Sequence, residues 1–482
     1  MNNNQINLPS MCEARKRRRG EVKHLQYTFP NHLKTLGIDK TYYIKTYGCQ
    51  GNIADSEKIA GIMESLGYNP ASNEAGADVL FFNTCAIRDH AEKRVFGELG
   101  RLKGLKVANP NLLIVLCGCM PQEEATIELI KQKYDQVDIV FGTHNIYNLP
   151  TLLEEAYQTR HPIVEVMSFE GDIIEEIPLK RGHSKKAWVD IMYGCDEFCT
   201  YCIVPYTRGT ERSRYPEDII REVTSLKEEG YLEVTLLGQN VNAYGKDFTD
   251  RTYGFSDLLW DLQGINIPRI RFTTSHPRDL DPKTMDVMAK GNHIMPHLHL
   301  PVQSGSNAIL KKMNRKYTQE EYLDKIARLR TLIPDIAITT DIIIGFPGES
   351  EEDFEATLEL VRKAQFEGAY TFIFSPRQGT PAAKFEDTTD FSMKKARLLK
   401  LNELINEGFA RGNQRFEGQI VEVLVEGVSE KKKHLLNGYT PHNKLVNFEG
   451  PKDLIGTMVR VFIEKAYTWH LKGVMVEHEK TT

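Results

Sequence analysis

From residue 41 onward short apolar runs alternate with amphipathic segments, and that alternation leaves few folds open. TYYIKTY (41–47) reads as a strand, and 56–66 as a helix with Ile59, Ile62, Met63 and Leu66 on one face and Gly67 as its stop. DVLFFN (78–83) precedes a helix from about 86 to 102, NLLIVL (111–116) one from about 122, and VDIVF (137–141) one around 148–157. Strand alternating with helix predicts a parallel, doubly wound α/β sheet.

That topology gives the cysteines a place. Cys49, Cys85 and Cys119 each follow a predicted strand, and in an open parallel sheet the loops after the strands share the edge where ligands bind. A lone cysteine is usually a small buried hydrophobe, but three in matching loops point to ligation. Cys117 stands two residues before Cys119, and spacing alone does not separate them. Cys119 lies further into the loop and is the expected ligand; Cys117 ends the apolar run and is expected in the core.

After a charged, irregular segment (169–186) comes a second βα series, with strands at 187–192, 233–237, 269–273, 297–302, 337–344 and 369–374. Six such strands predict an incomplete (β/α)6 barrel rather than a full eight-stranded one. Its first strand leads into GCDEFCTYCIVP (194–205), where Cys195, Cys199 and Cys202 form a CxxxCxxC triad. Structural zinc and ordinary iron-sulfur clusters take four protein ligands, so three thiolates suggest a [4Fe-4S] cluster with one iron open. A zinc loop completed by a distant His or Cys is the competing reading. Gln239, Asn240, Gln303, Ser304, Gly345 and Glu349 follow strands of this series, where a cofactor would lie, although turn and capping chemistry also accounts for them. From about 414 short strands at 419–428, 443–448 and 458–467 alternate with Gly and Asn turns, which predicts a small β-barrel.

The chain has 482 residues, 41% hydrophobic and 26% charged, with a formal charge of −5, so it is not a generally basic nucleic-acid binder. Any RNA site must be local; Lys431–Lys433 is the one basic run of the terminal barrel. No apolar run approaches the roughly 20 residues of a membrane span, and the amino terminus lacks a signal-peptide core. A cytoplasmic location is expected, with ligation rather than disulfides for the motif cysteines. Residues 1–39 read as a disordered basic leader containing RKRRR (15–19) and Cys12.

Taken together, TYGCQ (46–50), NTCAIR (83–88), GCMPQ (118–122), the CxxxCxxC triad, RGTERSR (208–214), LLGQNVNAYG (236–245), FTTSHP (272–277), HLPVQSGS (299–306), NRKYT (314–318), IIIGFPGE (342–349) and RQGTPAA (377–383) resemble the radical S-adenosylmethionine methylthiotransferases, most closely the MiaB type. The resemblance covers nearly all of the chain from about 40. It implies a methylthiotransferase amino-terminal domain (40–160), a radical SAM core (181–412) and a TRAM domain (414–480). It further implies that Cys195, Cys199 and Cys202 hold the radical cluster, and Cys49, Cys85 and Cys119 an auxiliary [4Fe-4S] cluster that delivers sulfur.

The implied reaction is methylthiolation at C2 of N6-isopentenyladenosine, tRNA position 37 in the anticodon loop. S-adenosylmethionine would serve as methyl donor and as source of the 5'-deoxyadenosyl radical. Flavodoxin or ferredoxin would supply electrons, and a sulfur or cluster donor would complete the partners. Threonylcarbamoyladenosine in tRNA, a ribosomal-protein aspartate, and a noncatalytic zinc-dependent RNA-binding role are the alternatives. One departure stands out: where the family usually has CQMN, this chain has Cys49, Gln50, Gly51 and Asn52, which predicts altered packing or room beside a retained ligand.

Overall fold

The structure, a computed structural model, describes residues 22–86, 89–167, 171–182 and 185–478. It divides into two compact units. The first comprises the described residues up to Gly182 with Tyr193–Phe198 and Cys202–Arg214; the second comprises those of His183–Met192, Cys199–Tyr201 and Tyr215–Thr482.

The first unit is built on a six-stranded, wholly parallel sheet. Its strands in chain order are Thr41–Tyr47, Asn69–Pro70, Val79–Thr84, Leu113–Gly118, Ile139–Phe141 and Ile163–Glu165, and the second lies outside the first at one edge. Side chains alternate across such a sheet. Val79, Phe81, Val115 and Phe141 therefore pack with Ile59, Ile62 and Met63 of the helix Gln50–Ser65 and with Leu149 and Leu152 of the helix Leu149–Thr159. Leu80, Phe82, Ile114 and Leu116 pack on the opposite face with Val95 and Leu99 of Asp89–Ala108 and with Ile127 and Ile130 of Glu124–Lys133. Helices on both faces explain why VLFFNT and LIVLCG are buried at every position.

Two expectations need correction. The helix read from 56 begins at Gln50, because Asn52 Oδ1 accepts the Cys49 N–H at 3.2 Å and closes the first turn. The leader 1–39 is not irregular throughout. His24–Gln26 pairs in parallel with Ile173–Glu175, inside the segment read as irregular, and Asn31–Thr35 forms a 3-10 helix that buries Leu33. Cys12 and the basic run 15–19 lie outside the described residues.

The second unit carries the six βα strands as two three-stranded parallel sheets. Lys186–Asp190, Glu233–Leu237 and Arg269–Thr273 form one; His297–His299, Ala337–Ile344 and Gly368–Ile373 form the other. An isolated parallel bridge, Ile270 to Ile294, joins the third strand to the chain entering the fourth, giving the incomplete barrel. The fourth strand is shorter than expected because Pro301 has no N–H to give the ladder, and Val302 N–H turns to Thr340 Oγ1 at 2.9 Å. The helix Phe391–Gln414 then leads to a closed five-stranded barrel. Leu435–Tyr439 and Leu471–His478 are barrel strands that the sequence reading passed over. Among the described residues no helix is long and apolar enough to cross a membrane.

The closed barrel is fastened to the base of the βα strands by two buried arginines. Arg269 donates to Tyr439 O (2.8 Å) and Glu422 Oε1 (2.9 Å). Arg271 donates to Pro441 O (2.9 Å), Thr440 O (2.8 Å) and Glu233 Oε2 (2.9 Å). Burial pushes the Glu233 carboxyl up, but Arg271, Lys186 and Arg269 outweigh it and hold it below the usual range. A depressed carboxylate stabilises the fold above its unfolded value of about 4.3 and loses that contribution as pH falls through the lower folded value. Glu233→Gln should therefore flatten the acid limb of stability measured below about pH 4. Arg271→Met, which strips Glu233 of its nearest partner, should cost about 3 kcal/mol at neutral pH by denaturant titration. An unmoved midpoint would mean that this anchoring is carried elsewhere.

Candidate metal and cofactor sites

The strands ending before Cys49, Cys85 and Cys119 are neighbours in the sheet, so parallelism alone brings their loops to one edge. A buried amide network sets those loops against one another. Asn52 Nδ2 donates to Asn83 Oδ1 (3.1 Å) and Thr84 O (3.2 Å), while Asn83 Nδ2 donates to Asn52 O (2.8 Å) and Ser56 Oγ (2.9 Å). Cys119 N–H donates to Thr84 O at 2.8 Å, stitching its loop to the strand that carries Cys85. The Cys119 thiol is raised to about 12, chiefly by burial; Arg208 opposes the rise, and Cys85 and Cys49 add to it.

Gly118 separates the two cysteines of CGC. Its φ is +97°, and an added Cβ would stand 2.4 Å from Thr84 O, so only glycine makes this turn. Before it, Cys117 is fully buried among Val115 and Phe141, its Sγ 3.6 Å from Phe82 O. After it, Cys119 enters the loop and packs with Ala86, Ile203 and Tyr206. At Gly51 an added Cβ would meet Cys49 Sγ and Arg208 Nη2, both at 3.6 Å. These are ordinary contacts, so the glycine is no steric necessity and leaves space beside the thiol.

The CxxxCxxC loop is tied down residue by residue. Gly194 has φ +76° and backs onto Thr210 O, while Cys195 N–H donates to Gly209 O at 3.0 Å. Phe198 adopts a left-handed φ of +46°, which bends the chain between the first two cysteines. Thr200 N–H and Oγ1–H donate to Met313 O (3.0 Å) and Lys312 O (2.9 Å). Tyr201, the aromatic before the last cysteine, packs against Ile309, Met313 and Phe346.

All six positions offer sulfur, and N–H groups point at three of them. Arg208 Nε–H lies 3.3 Å from Cys119 Sγ, Arg315 Nη1–H lies 3.4 Å from Cys199 Sγ, and Val204 N–H lies 3.4 Å from Cys202 Sγ. Donors of this kind stabilise thiolate and sulfide charge, which suits iron-sulfur ligation. Arg208 and Arg315 were not singled out by the sequence reading, although RGTERSR and NRKYT contain them; no local pattern tells a buried sulfur donor from a surface arginine.

The other cofactor candidates divide. Gln303 (φ +70°) serves the backbone, with its N–H on Asp341 O and its carbonyl accepting Ile343 N–H. Ser304 Oγ accepts Ser306 N–H at 3.2 Å, and Gly345 N–H is capped by Glu349 Oε2 at 2.8 Å. Gln239 follows the strand Glu233–Leu237. Asn240 Nδ2 holds Asp279 at 2.7 Å, while its buried Oδ1 has no protein partner among the described residues. Glu349 pairs with Arg397 at 3.0 Å and likewise leaves Oε1 buried and unpartnered. Two open acceptors suit a cofactor rich in N–H and O–H donors. His276 is held neutral by burial and the charge of Arg315.

The chain matches the Radical SAM superfamily over residues 189–361, the Uncharacterized protein family UPF0004 over 41–142 and the TRAM domain over 414–476. It is 56% identical to a tRNA-2-methylthio-N(6)-dimethylallyladenosine synthase of Anoxybacillus flavithermus, covering 97% of this chain and 89% of that protein. It is 55% identical to the Bacillus subtilis protein of the same name, over 97% and 92%. In fold it resembles a radical S-adenosylmethionine methyltransferase, TsrM, from Kitasatospora setae, at TM-score 0.50 and 13% identity over 71% of this chain and 77% of that one.

The division at Gly118 can be tested directly. Cys117→Ala should retain the iron bound by wild type after anaerobic reconstitution, and Cys119→Ala should lose a substantial part of it. The reverse result would put Cys117 in the site.

Proposed function

Because the chain belongs to the tRNA-2-methylthio-N(6)-dimethylallyladenosine synthases, radical S-adenosylmethionine enzymes, we propose that it installs a methylthio group at C2 of N6-isopentenyladenosine, position 37 of tRNA. The observation that carries the two-cluster form of this reading is the second sulfur-only triad, Cys49, Cys85 and Cys119, at the carboxyl edge of its own parallel sheet. A plain radical methylase needs no such set. Cys195, Cys199 and Cys202 would hold one [4Fe-4S] cluster and the amino-terminal triad the other. When bound, these groups supply one-electron reductive cleavage of S-adenosylmethionine at the first and sulfur at the second.

The protein's own part is positional. The Thr200 and Gly194 contacts fix the loop that presents Cys199 and Cys195. Asn52 and Asn83 hold the loops of the other triad. Asn240 Oδ1 and Glu349 Oε1, buried with open acceptors, would accept donors of S-adenosylmethionine. An external one-electron donor of flavodoxin or ferredoxin type and a sulfur or cluster donor complete the turnover.

For tRNA, the TRAM barrel offers aromatic and basic groups together. Trp469 is 60% exposed with Phe409 behind it at 4.9 Å, Tyr467 stacks on His470 at 4.8 Å, and Lys465 lies 5.4 Å over Tyr467. Burial lowers the His470 pKa, and the charges of Lys432 and Lys431 lower it further, which places that basic run near the same loop. Unpaired bases stack on such rings while lysines neutralise phosphates.

Two measurements test this reading. Iron should fall from about eight to about four per chain in the Cys49→Ala/Cys85→Ala/Cys119→Ala variant. Nucleoside mass spectrometry should show methylthio-isopentenyladenosine lost from the tRNA of a deletion strain and restored by wild type alone; its persistence would defeat the assignment. For the barrel, Lys431→Ala/Lys432→Ala should weaken tRNA binding and reduce the salt slope, log K against log salt, by about one to two. An unchanged slope would move the RNA surface elsewhere.

A further inference from the structure

Two buried arginines, Arg208 and Arg315, have no place in the positional scheme just described, and each sits against a different cysteine triad. Arg208 comes six residues after Cys202. Its Nη2 pairs with Asp55 at 2.7 Å and its Nε–H meets Cys119 Sγ at 3.3 Å; its own carbonyl is held by Arg212 Nη2 at 3.0 Å. One guanidinium thus spans a carboxylate of the helix Gln50–Ser65 and a cysteine of the fourth strand's loop. Arg315 uses all three of its nitrogens: Nε to Tyr317 Oη (2.9 Å), Nη2 to Pro301 O (2.9 Å) and Nη1 to Cys199 Sγ (3.4 Å). No carboxylate among the described residues pairs with it. A buried cation without a carboxylate calls for another anion, and the anion within reach is the sulfur.

Resting on the two-cluster reading above, we propose that Arg208 and Arg315 are positioning residues, one for each triad, whose N–H···S bonds raise the reduction potential of the cluster that each triad holds. Reduction adds negative charge to a cluster, and a donor aimed at a ligand sulfur favours the more negative state. The two sites differ in electrostatics. The Arg208 charge is largely balanced by Asp55, so its influence rests on the directed bond from Nε. The Arg315 charge is balanced by no carboxylate, so it contributes the bond and an entire positive charge. Lysine loses the planar fork at either position, and where no carboxylate holds its proton a buried ammonium also loses its charge. Arg208→Lys, beside Asp55, should therefore lose only the directed bond, whereas Arg315→Lys should behave much as Arg315→Gln.

The test is an EPR-monitored redox titration of anaerobically reconstituted full-length protein, with iron and acid-labile sulfide counted in every sample. The auxiliary cluster is read in a Cys195→Ala/Cys199→Ala/Cys202→Ala background and the radical cluster in a Cys49→Ala/Cys85→Ala/Cys119→Ala background. Arg208→Gln should lower the auxiliary potential only. Arg315→Gln should lower the radical-cluster potential only, and by more. Loaded glutamine variants at wild-type potential, or one substitution shifting both clusters alike, would overturn the proposal. Should either glutamine variant fail to hold its cluster, the lysine pair decides: an Arg315→Lys shift no larger than that of Arg208→Lys overturns it. Four irons rather than eight in the otherwise wild-type chain would instead sink the two-cluster reading, and with it the role of Arg208, leaving Arg315 to be judged by its own titration.

Discussion

The reciprocal amide pair between Asn52 and Asn83 is the interaction on which the amino-terminal site depends. Parallel strands bring three loops to one edge, but an edge is a row, and ligating one compact group needs the loops drawn in at defined heights. Asn52 caps its own helix through Cys49 N–H and reaches across to the next strand, which answers from Asn83. Thr84 O then accepts from both Asn52 and Cys119, so one carbonyl couples the first loop to the third. Asn52, Asn83, Thr84 and Cys119 are buried, where an unmade hydrogen bond is costly. The network is therefore costly to break in part, which fits the metal site proposed there.

What the sequence disclosed follows from how local each signal was. Strands 41–47, 233–237, 269–273 and 337–344 were legible to the residue, because an apolar run between turn residues records its own burial. The start of the first helix was misplaced because its cap is a cysteine, and no capping rule anticipates Cys49 with Asn52 three residues on. LLNGY was passed over because glycine and asparagine inside a strand look like a turn. Gly438 is there because an added Cβ would press against Leu424 O at 2.2 Å. The preference for Cys119 over Cys117 rested on position in the loop; the positive φ of Gly118, which composition cannot show, is what turns the chain between Cys117 in the core and Cys119 in the loop.

The cofactor residues were harder for a different reason. Residues after strands are equally suited to turning the chain and to holding a ligand, and Gln303, Ser304 and Gly345 are visibly engaged in the former. Asn240 and Glu349 differ: one atom of each side chain is committed to the fold, and the other is buried with an open acceptor. Such half-satisfied groups are expensive to keep in an interior without a partner, so they mark a ligand more clearly than sequence position does.

Charge explains why these sites take arginine rather than lysine. The chain is acidic overall, at −5, so the positive potential a sulfur-bound metal site needs cannot come from the protein at large. It must be supplied at contact distance by groups that stay protonated when buried. A guanidinium meets that demand, since it remains charged in surroundings where an ammonium would readily shed its proton, and its fork can hold a sulfur while gripping the fold with its other nitrogens. Arg208 grips Asp55 and Arg315 grips Pro301 O and Tyr317. The same device serves the base of the βα strands, where Arg269 and Arg271 fasten the terminal barrel through carbonyls and a buried carboxylate. The separation between these uses lies in the partner: where the fork's remaining N–H meets oxygen it serves architecture, and where it meets sulfur it acts on electron affinity as well.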